Sequence, residues 1–459
     1  MARILFIETT YLVASVLFIL GLRSLTRPDR ARRGMQLAAM GMVFAIVGTL
    51  VNHEIVDYRW IVAALAVGTV IGYPLGMWVP MTAMPQQVAI SHMFGALAAT
   101  LVGVAEYYTA AGSVGPGRMM ALGFETMFGS LTITGSLMAA GKLQEILPGK
   151  PMTFRGQNIV NIALFALTVG IFVYLIGHPE NTVLFYVMLT LSLAIGVSMV
   201  LPIGAADMPV VVSLLNSYAG LASVATGFAI GNNVLIIAGA LDGGSGFLLS
   251  VLMSKAMNRS FSNVLFGAFG TPPTAVSKAA TGLTARSISA EDAAMQLAYA
   301  KLVIIVPGYG MAVAQSQHQV RELAEHIESR GGTVKYAIHP VAGRMPGHMN
   351  VLLAEANVPY DRLYDMDEIN SEFDRADVAL VIGANDVVNP AARSDPSSPI
   401  YGMPILNADH ARSVIVLKRS MNPGFAGIEN QLFYGNATSM LFGDAKASLT
   451  KLIAEVKAV

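Results

Sequence analysis

The chain has 459 residues, of which 29 are basic and 29 acidic, so its formal net charge is zero; 54% of the residues are hydrophobic and 13% are charged. This composition, with a mean hydropathy of +0.57, is more apolar than one water-soluble core can accommodate and indicates a lipid bilayer as the main solvent. The zero net charge argues against a nucleic-acid partner. Because the sequence has no cysteine, disulfides and thiol nucleophiles are excluded, and any redox chemistry belongs to a cofactor.

The first 255 residues contain apolar segments of the length that crosses the hydrocarbon core as a helix, about 20 residues. Nine such segments occur, at residues 4–22, 34–51, 60–79, 87–105, 119–140, 158–176, 182–201, 208–230 and 232–254. No clear small-residue cleavage site follows the first segment, so we expect a retained span rather than a signal peptide. Residues 1–255 are therefore predicted to form a polytopic α-helical membrane bundle.

Basic residues cluster in two of the loops between these segments. They are Arg23, Arg27, Arg30, Arg32 and Arg33 after the first segment, and Lys142, Lys150 and Arg155 after the fifth. Because loops rich in lysine and arginine remain on the cytoplasmic side, both loops are predicted to face the cytoplasm. Nine crossings then place the C-terminal residues on the same side.

Ionisable groups inside a span are costly, and they commonly face a bundle interior or a water-filled path. His92 lies in the fourth span, where an imidazole could carry protons near neutral pH; the alternative is a histidine that only packs and hydrogen-bonds between helices. Asn216, in the eighth span, either holds water or a protonated partner, or links two helices. Glu125 and Asp242 are further candidates, and the alternative for Glu125 is a paired structural carboxylate.

Residues 256–284 are predicted to connect the membrane part to a soluble domain at residues 285–459, whose composition is that of an ordinary globular protein. Ser289, two residues before Glu291, is a candidate helix N-cap. The connector is also where any mechanical coupling between the two parts would have to pass.

Four aliphatic or β-branched runs in the soluble domain alternate with segments of helical character. The runs are residues 301–306, 333–338, 378–382 and 413–417. Runs of this length and composition predict buried parallel strands. The expected fold is an α/β Rossmann-like domain with a parallel sheet.

A glycine turn, Gly308-Tyr309-Gly310-Met311-Ala312-Val313, directly follows the first predicted strand and precedes a polar helix. In dinucleotide folds the first glycine of such a turn allows a tight bend, the second lets the backbone approach the pyrophosphate, and the phosphates bind at the helix N-terminus. Val313 replaces the third glycine of that fingerprint. The position of the turn between strand and helix predicts a dinucleotide site.

Two strand ends bear on which dinucleotide is bound. The second strand is followed by His339, where NAD-binding folds commonly place an acid for the ribose 2′-hydroxyl, so the absence of an acid favours NADP. The fourth strand is followed by Lys418, Arg419 and Ser420, which suit a 2′-phosphate; the alternative is an ordinary solvated basic turn.

The third predicted strand is followed by a polar turn that contains one carboxylate. Its residues are Gly383, Ala384, Asn385 and Asp386. Asp386 either hydrogen-bonds the cofactor or responds to protonation, and the alternative is a simple turn carboxylate.

Taken in order, these elements resemble the beta subunit of the proton-translocating NAD(P) transhydrogenase, in the form that is split into alpha and beta chains. The resemblance covers the whole chain. The segments that carry it are DMPVVVSLLNSYAG at 207–220, VPGYGMAVAQSQ at 306–317, GRMPGHMNVLLAEA at 343–356, GANDVVNPAA at 383–392 and LKRSMNPGFAG at 417–427.

The resemblance implies that residues 1–255 translocate protons and that the soluble domain binds NADP(H), while the alpha subunit binds NAD(H). It also implies a bacterial inner (cytoplasmic) membrane, a soluble domain in the cytoplasm and a homodimer of alpha–beta units. The residues implied in NADP(H) binding are Gly308, Tyr309, Gly310, Met311, Ala312, Val313, Arg344, Gly383, Ala384, Asn385, Asp386, Lys418, Arg419, Ser420 and Tyr434. The residues implied in proton passage and coupling are His92, Asn216, Asp207 and Asp386.

Two other functions would share parts of this layout. A channel or transporter gated by a nucleotide-binding module would have the same domains, but the sequence shows no selectivity filter and no clear inverted repeat. A soluble dehydrogenase with a membrane anchor would need only one or two spans.

Overall fold

The structure is a computed structural model that describes residues 2–51, 57–80, 83–110, 114–148, 151–204, 207–257, 284–345, 347–396, 398, 400–424 and 427–459. The chain divides into two compact units, one comprising residues 1–204 and 210–250 and the other residues 205–209 and 251–459. Most of the predicted connector, residues 256–284, lies outside the described residues, as does Lys150. The domain boundaries at 255 and 285 stay predictions.

Nine long helices occupy the described part of the first 256 residues, and every predicted span falls on one of them. They are α1 (Ala2–Leu25), α2 (Pro28–Leu50), α3 (Arg59–Met77), α4 (Met84–Ala110), α5 (Pro116–Leu143), α6 (Gln157–Gly177), α7 (Thr182–Val200), α8 (Met208–Ile230) and α9 (Asn233–Ala256). Among the described residues, eight helices are long and apolar enough to cross a membrane, and α5 is the exception. The predicted polytopic helical bundle is confirmed.

Helix α5 is less apolar because it is buried by other helices rather than by lipid. It packs against α4, α6 and α7, and its Glu125 is fully buried against Gly103 of α4. Lys142, which the sequence places in a loop, lies instead in the last turn of α5. There it is buried and donates hydrogen bonds to the carbonyls of Leu201 and Ile203. The two carbonyls satisfy the Lys142 ammonium group inside the protein.

Small residues let the helix backbones approach closely. A Cβ atom on Gly129 of α5 would lie 2.3 Å from Oγ1 of Thr100 in α4. One on Gly220 of α8 would lie 2.3 Å from the backbone nitrogen of Gly243 in α9. Larger residues at these two glycines would force the helix pairs apart.

The second unit is built on a six-stranded parallel sheet. Its strands are β1 (Leu302–Pro307), β2 (Thr333–Ile338), β3 (Leu363–Asp365), β4 (Val378–Ile382), β5 (Ser413–Lys418) and β6 (Thr438–Phe442). Their order is β3-β2-β1-β4-β5-β6, and all neighbouring pairs are parallel. This is the order of the doubly wound dinucleotide folds, so the predicted Rossmann-like sheet is confirmed. The two edge strands, β3 and β6, were not predicted.

Within the described residues of this unit, seven helices accompany the sheet. They are α10 (Ala290–Ala298), α11 (Tyr309–Val313), α12 (Gln317–Ser329), α13 (His348–Glu355), α14 (Met366–Ile369), α15 (Ala391–Ser394) and α16 (Ala445–Ala458), with short 3₁₀ turns at Tyr360–Arg362, Asn370–Arg375, Asp386–Val388, Ala408–His410 and Gln431–Tyr434. Ser289 caps α10, as predicted, by accepting a hydrogen bond from the Asp292 N–H at 3.1 Å.

Both faces of the sheet are covered, as an all-parallel sheet requires. On one face Ile304, Val306 and Val381 pack against Phe373 and Phe433. Alternate strand residues point to the other face, where the amphipathic helix α12 contacts β2 and α16 contacts β5. The core therefore lies on both sides of β1, β4 and β5, and it fixes the positions of the loops at their ends.

The residues of the glycine turn themselves form a short helix, α11, of five residues. The polar helix predicted after the turn is α12, which begins at Gln317. Gln315 then adopts a φ of 48°, in the left-handed region that ends a helix, before α12 begins. A five-residue helix has few aligned peptide dipoles, so it attracts a phosphate less than a longer helix would.

Candidate functional site

The loops that follow β1, β2, β4, β5 and β6 enclose a cavity of about 570 Å³. β1 and β4 are neighbours in the sheet, and the strand order reverses between them. The chain leaves these two strands toward opposite sides of the sheet, which opens a crevice at their carboxyl ends, where doubly wound sheets bind ligands. The volume lies within the range of small-molecule sites, about 300–1,000 Å³.

Glycines bring the loops after β1 and β4 into direct backbone contact. The Gly308 N–H donates to the Ile382 carbonyl at 2.9 Å, and the Gly310 N–H donates to the Gly383 carbonyl at 2.9 Å. A Cβ atom on Gly308 would lie 2.4 Å from the backbone of Ala384. One on Gly383, whose φ is +67°, would lie 2.3 Å from Cα of Gly310. Packing against the neighbouring loop therefore requires glycine at these positions, even without a bound ligand.

The turn after β5 presents cations to the cavity. Lys418 is half-buried; its ammonium group donates to the Asn422 carbonyl and lies 4.7 Å from the centre of the Phe433 ring. Burial lowers the pKa of Lys418, and the Asp386 charge partly offsets this effect. Arg419, next in sequence, is exposed. A partly dehydrated ammonium beside a second cation is stabilised by an added anion, so the turn suits a phosphate group.

Two buried asparagines hold the loop after β4. Asn389 is fully buried and accepts a hydrogen bond from the Gln431 N–H at 3.2 Å. Asn430 donates to the backbone oxygen of Asn385 at 2.9 Å and to its side-chain oxygen at 3.0 Å. These bonds join the loop to the 3₁₀ turn before β6. They thereby fix the position of Asp386 in the cavity wall.

A third cation comes from the loop after β2. Arg344 is largely buried, and its guanidinium group lies 4.4 Å from the centre of the Tyr309 ring. Arginine stacked on an aromatic ring keeps its edge donors available for a phosphate. The cavity wall therefore carries cations from two different strand ends.

His339, the first residue after β2, has a structural role in the fold. Its Nδ1 accepts a hydrogen bond from the Val341 N–H at 3.2 Å, and its Nε2 donates to the Pro404 carbonyl at 2.8 Å. Burial lowers the pKa of His339 to about 4, although the hydrogen bond to Pro404 opposes the shift. The ring is therefore neutral at pH 7. This strand end carries no negative charge where an acid would repel a 2′-phosphate.

Most of the residues that the resemblance implies in nucleotide binding line the cavity. They are Gly308, Tyr309, Gly310, Val313, Arg344, Gly383, Ala384, Asn385, Asp386, Lys418, Arg419 and Ser420. Met311 and Ala312 are buried beneath the glycine turn. Tyr434 ends a 3₁₀ turn outside the lining. The structure thus brings the residues together, and their binding roles stay predictions.

Sequence reasoning missed several residues of the cavity wall. Among them are Val341, Ala342, Gly343, Ile400, Met403, Asn422, Pro423, Gly424, Gly443, Asp444 and Ala445. Gly443 and Asp444 were missed because β6 was not recognised as a strand, so its end was not considered. Gly343 and Asn422 lie in the segments that carry the resemblance, which is the signal that could have identified them.

The polar residues of the spans lie on different helices. His92 is half-buried on α4, and its Nδ1 has no hydrogen-bond partner among the described residues. Asn216 of α8 donates from Nδ2 to Oδ1 of Asp242 in α9 at 3.2 Å. Asp207 is largely buried immediately before α8. Asn216 is therefore paired with a carboxylate of the next helix rather than with His92.

The cavity suits an extended anion with an apolar part. Cations stand at two of its strand ends, the carboxylate of Asp386 at another, and apolar side chains such as Ile400 and Met403 lie between. Within the described parts of the chain, no group of three or more His, Cys, Asp or Glu side chains is arranged to hold a metal ion. A dinucleotide phosphate fits this combination of charge, size and position.

Comparison with known proteins agrees with the architecture. The family model described as "NAD(P) transhydrogenase beta subunit" matches residues 7–455. A curated protein of Rhodospirillum rubrum, "NAD(P) transhydrogenase subunit beta", is 50% identical over 452 residues, which cover 96% of this chain and 97% of the relative. A second curated protein of that name, from a strain of the same species, has the same identity and coverage.

Proposed function

Because this chain belongs to the NAD(P) transhydrogenase beta subunit family, we propose that its soluble domain, residues 285–459, binds NADP(H) in the cavity. Hydride then passes between this nucleotide and NAD(H) held by the alpha subunit, and the reaction is coupled to proton movement through residues 1–255. Family membership makes the chain part of a membrane enzyme that uses nicotinamide nucleotides and has an alpha subunit as partner. It also removes support from the gated-transporter alternative.

The observation that carries the assignment of NADP(H) to this chain is the charge at two strand ends. Lys418 and Arg419 stand on the cavity after β5, and the neutral His339 stands after β2. Two cations after β5, and a neutral histidine instead of an acid after β2, favour a ligand with a 2′-phosphate over one with a 2′-hydroxyl. Ser420, on the same turn, adds a hydroxyl that can donate to the phosphate.

When bound, NADP(H) supplies the hydride carrier, its nicotinamide ring. The residues of this chain bind and orient the nucleotide. Arg344, stacked on Tyr309, can bind a phosphate at the end of β2, whereas Lys418 lies at the end of β5. Asp386, in the loop fixed by Asn389 and Asn430, is placed to hydrogen-bond the nucleotide or to respond to protonation.

Proton movement supplies the free energy for a directional reaction. Hydride exchange between two nicotinamides is nearly balanced, so a high product ratio needs an external source. One charge that crosses a potential of about 150 mV releases about 3.5 kcal/mol, which is between two and three decades in a ratio. One proton per hydride is therefore sufficient.

In the mechanism that we propose, His92 carries the proton within the bundle, and Asn216 assists its passage. Asp207, before α8, belongs to the coupling side of the path. Protonation shifts the soluble domain between a state that exchanges NADP(H) and a closed state that transfers hydride. The orientation that follows is a bacterial inner membrane with the soluble domain in the cytoplasm, and an assembly of two alpha and two beta subunits.

The test of nucleotide assignment is equilibrium binding of NADP and NAD to the full chain in lipid nanodiscs. We expect a preference for NADP, and Lys418→Ala should weaken NADP binding about tenfold to a hundredfold, because a contact with a charged group contributes about 1.5–3 kcal/mol. NAD binding should not change. Lys451→Ala, on an exposed position of α16, is the matched control. A chain that binds no NADP, or a variant that weakens both nucleotides equally, would contradict the proposal.

The test of His92 is proton uptake into vesicles that contain the complex of both subunits. His92→Ala should reduce coupled proton uptake at least tenfold, while NADP affinity stays within about twofold. His178→Ala, an exposed histidine that follows α6, should leave both unchanged. Equal proton uptake by wild type and His92→Ala would remove His92 from the path.

A further inference from the structure

Arg344 is held at the cavity by a residue that does not itself line it. The loop from β2 to α13 contains a turn at Gly343, whose φ is +110°. A Cβ atom on Gly343 would lie 2.5 Å from Nδ1 of His348 and 2.7 Å from its Cβ. The turn therefore wraps directly around the His348 side chain, which is fully buried.

The contact between His348 and the turn is a defined hydrogen bond. The backbone N–H of Arg344 donates to Nδ1 of His348 at 3.1 Å. Because Nδ1 is the acceptor, the proton of a neutral ring lies on Nε2. Burial, with a further contribution from the Arg344 charge, lowers the pKa of His348 to about 4, so the acceptor remains available at neutral pH.

The hydrogen bond acts on a residue whose side chain forms part of the cavity. The Arg344 guanidinium lies 4.4 Å from the Tyr309 ring centre, and the Tyr309 and His348 ring centres are 6.4 Å apart. Tyr309 belongs to the glycine turn after β1. His348 therefore joins the loop after β2 to the loop after β1 at the point where Arg344 meets the cavity.

We propose that His348 is a positioning residue for the nucleotide site: by accepting the backbone N–H of Arg344, it sets the turn that holds the guanidinium over Tyr309. The inference rests on the proposed binding of NADP(H) in this cavity. Loss of the acceptor frees the turn, so Arg344 must lose conformational entropy each time the nucleotide binds.

Two substitutions separate the acceptor from the rest of the ring. In His348→Asn the side-chain oxygen occupies nearly the place of Nδ1 and can accept the Arg344 N–H. In His348→Gln the amide lies one bond further out, near the place of Nε2, and the acceptor is lost. NADP and NADPH dissociation constants are measured with the full chain and its alpha partner, for both variants and for wild type.

We expect His348→Gln to weaken NADP(H) binding about fivefold, and His348→Asn to stay within about twofold of wild type, because one hydrogen bond contributes about 1 kcal/mol. Arg344→Ala should weaken binding at least as much as His348→Gln. The double variant Arg344→Ala/His348→Gln should be no weaker than Arg344→Ala, since His348 acts through Arg344.

Hydrogen exchange without nucleotide provides a readout that does not depend on binding. His348→Gln should speed exchange in residues 341–345 while β1 and β4 stay protected as in wild type, and His348→Asn should not speed it. Equal effects of Asn and Gln, or additive effects in the double variant, would overturn the positioning role. Failure of wild type to bind NADP(H) would instead overturn the proposed function, which keeps the two failures distinct.

Discussion

The unit built on the parallel sheet (the soluble unit) and the unit of long apolar helices (the membrane unit) bring their polar residues together in different ways. In the soluble unit, five separate loops contribute to one cavity, because the carboxyl ends of parallel strands share one edge of the sheet. In the membrane unit, candidate residues sit on α4, α5, α8 and α9, and contact between them depends on which helix faces meet. Of these candidates Asn216 has a hydrogen bond to another, Asp242. A residue's place on a strand end therefore predicts its neighbours, whereas its place in a span does not.

The difference also appears in what holds each arrangement. Backbone contacts between glycine turns, at Gly310 and Gly383, hold the loops after β1 and β4 together in the soluble site, and side-chain hydrogen bonds such as that of Asn430 add to them. Single side-chain hydrogen bonds between helices, such as that of Asn216, hold the membrane candidates. Substitutions that disturb the backbone contacts should therefore lower the free energy of unfolding more than substitutions that remove one side-chain hydrogen bond between helices.

The largest effect is expected at Gly383. In Gly383→Ala the new Cβ would meet Cα of Gly310 at 2.3 Å, and the residue would also have to keep a φ of +67°. Overpacking costs about 1–3 kcal/mol and a left-handed non-glycine residue costs about 1–2 kcal/mol, so we expect a loss of about 2–5 kcal/mol. The measurement is the opening free energy of β1 and β4 amides by hydrogen exchange in the full chain.

Gly331→Ala is the matched control. Gly331 also has a positive φ, +91°, but nothing lies within 4 Å of a Cβ atom there. The Gly331→Ala variant should lose only the free energy that a left-handed non-glycine residue costs, about 1–2 kcal/mol. Equal losses in the two variants would show that backbone contact between the loops does not hold the site.

The sequence predicts those parts of the fold whose pattern is local. β4 lies within its predicted bounds because it is a buried aliphatic run, and β2 does so because most of its residues are apolar and buried. β3 has three residues, none of them buried, and β6 begins with Thr438 and Ser439, so neither resembles a buried strand. The end of β6, with Gly443 and Asp444, was missed for that reason. Lys142 was placed in a loop because the sequence does not show that neighbouring carbonyls satisfy its charge.

A second effect of similar size is expected on acidification. The folded-state pKa of His339 is lowered from 6.5 to about 4, so between these values the unfolded chain binds a proton that the folded chain does not. Stability contributed by the neutral ring is therefore complete above pH 6.5 and is lost as the pH falls toward 4, by up to about 3 kcal/mol.

His339→Gln tests this effect, because its amide can still donate to the Pro404 carbonyl but cannot titrate. We expect the soluble unit of the variant to unfold at a lower pH than wild type, with little change at pH 7, when tyrosine fluorescence or hydrogen exchange is followed. His318→Gln, exposed on α12, is the control. An identical acid transition in His339→Gln and wild type would mean that His339 is not buried and neutral in the folded state.

A smaller effect is expected at the asparagine that fixes the loop after β4. Asn430→Asp removes the donor to both oxygens of Asn385 and places a charge beside them. Loss of a buried partner costs about 1–3 kcal/mol, and we expect NADP affinity to fall about tenfold, because the Asp386 loop is released. Asn436→Asp, on an exposed position, controls for the added charge. Unchanged NADP affinity in Asn430→Asp would show that the loop does not depend on this pair.

The smallest effect is expected in the membrane unit, where a double-mutant cycle tests the pair directly. Asn216→Ala and Asp242→Ala should show a coupling of about 0.6 kcal/mol in unfolding free energy in bicelles, the average for hydrogen bonds between spanning helices. Asn216→Ala and His92→Ala should be additive, since the structure pairs Asn216 with Asp242. Measurable coupling between Asn216 and His92 would mean that the spans also bring the proton-path candidates into one site. Both units would then gather their polar residues into one site. They would differ only in that backbone contacts hold the site of the soluble unit, whereas side-chain hydrogen bonds hold that of the membrane unit.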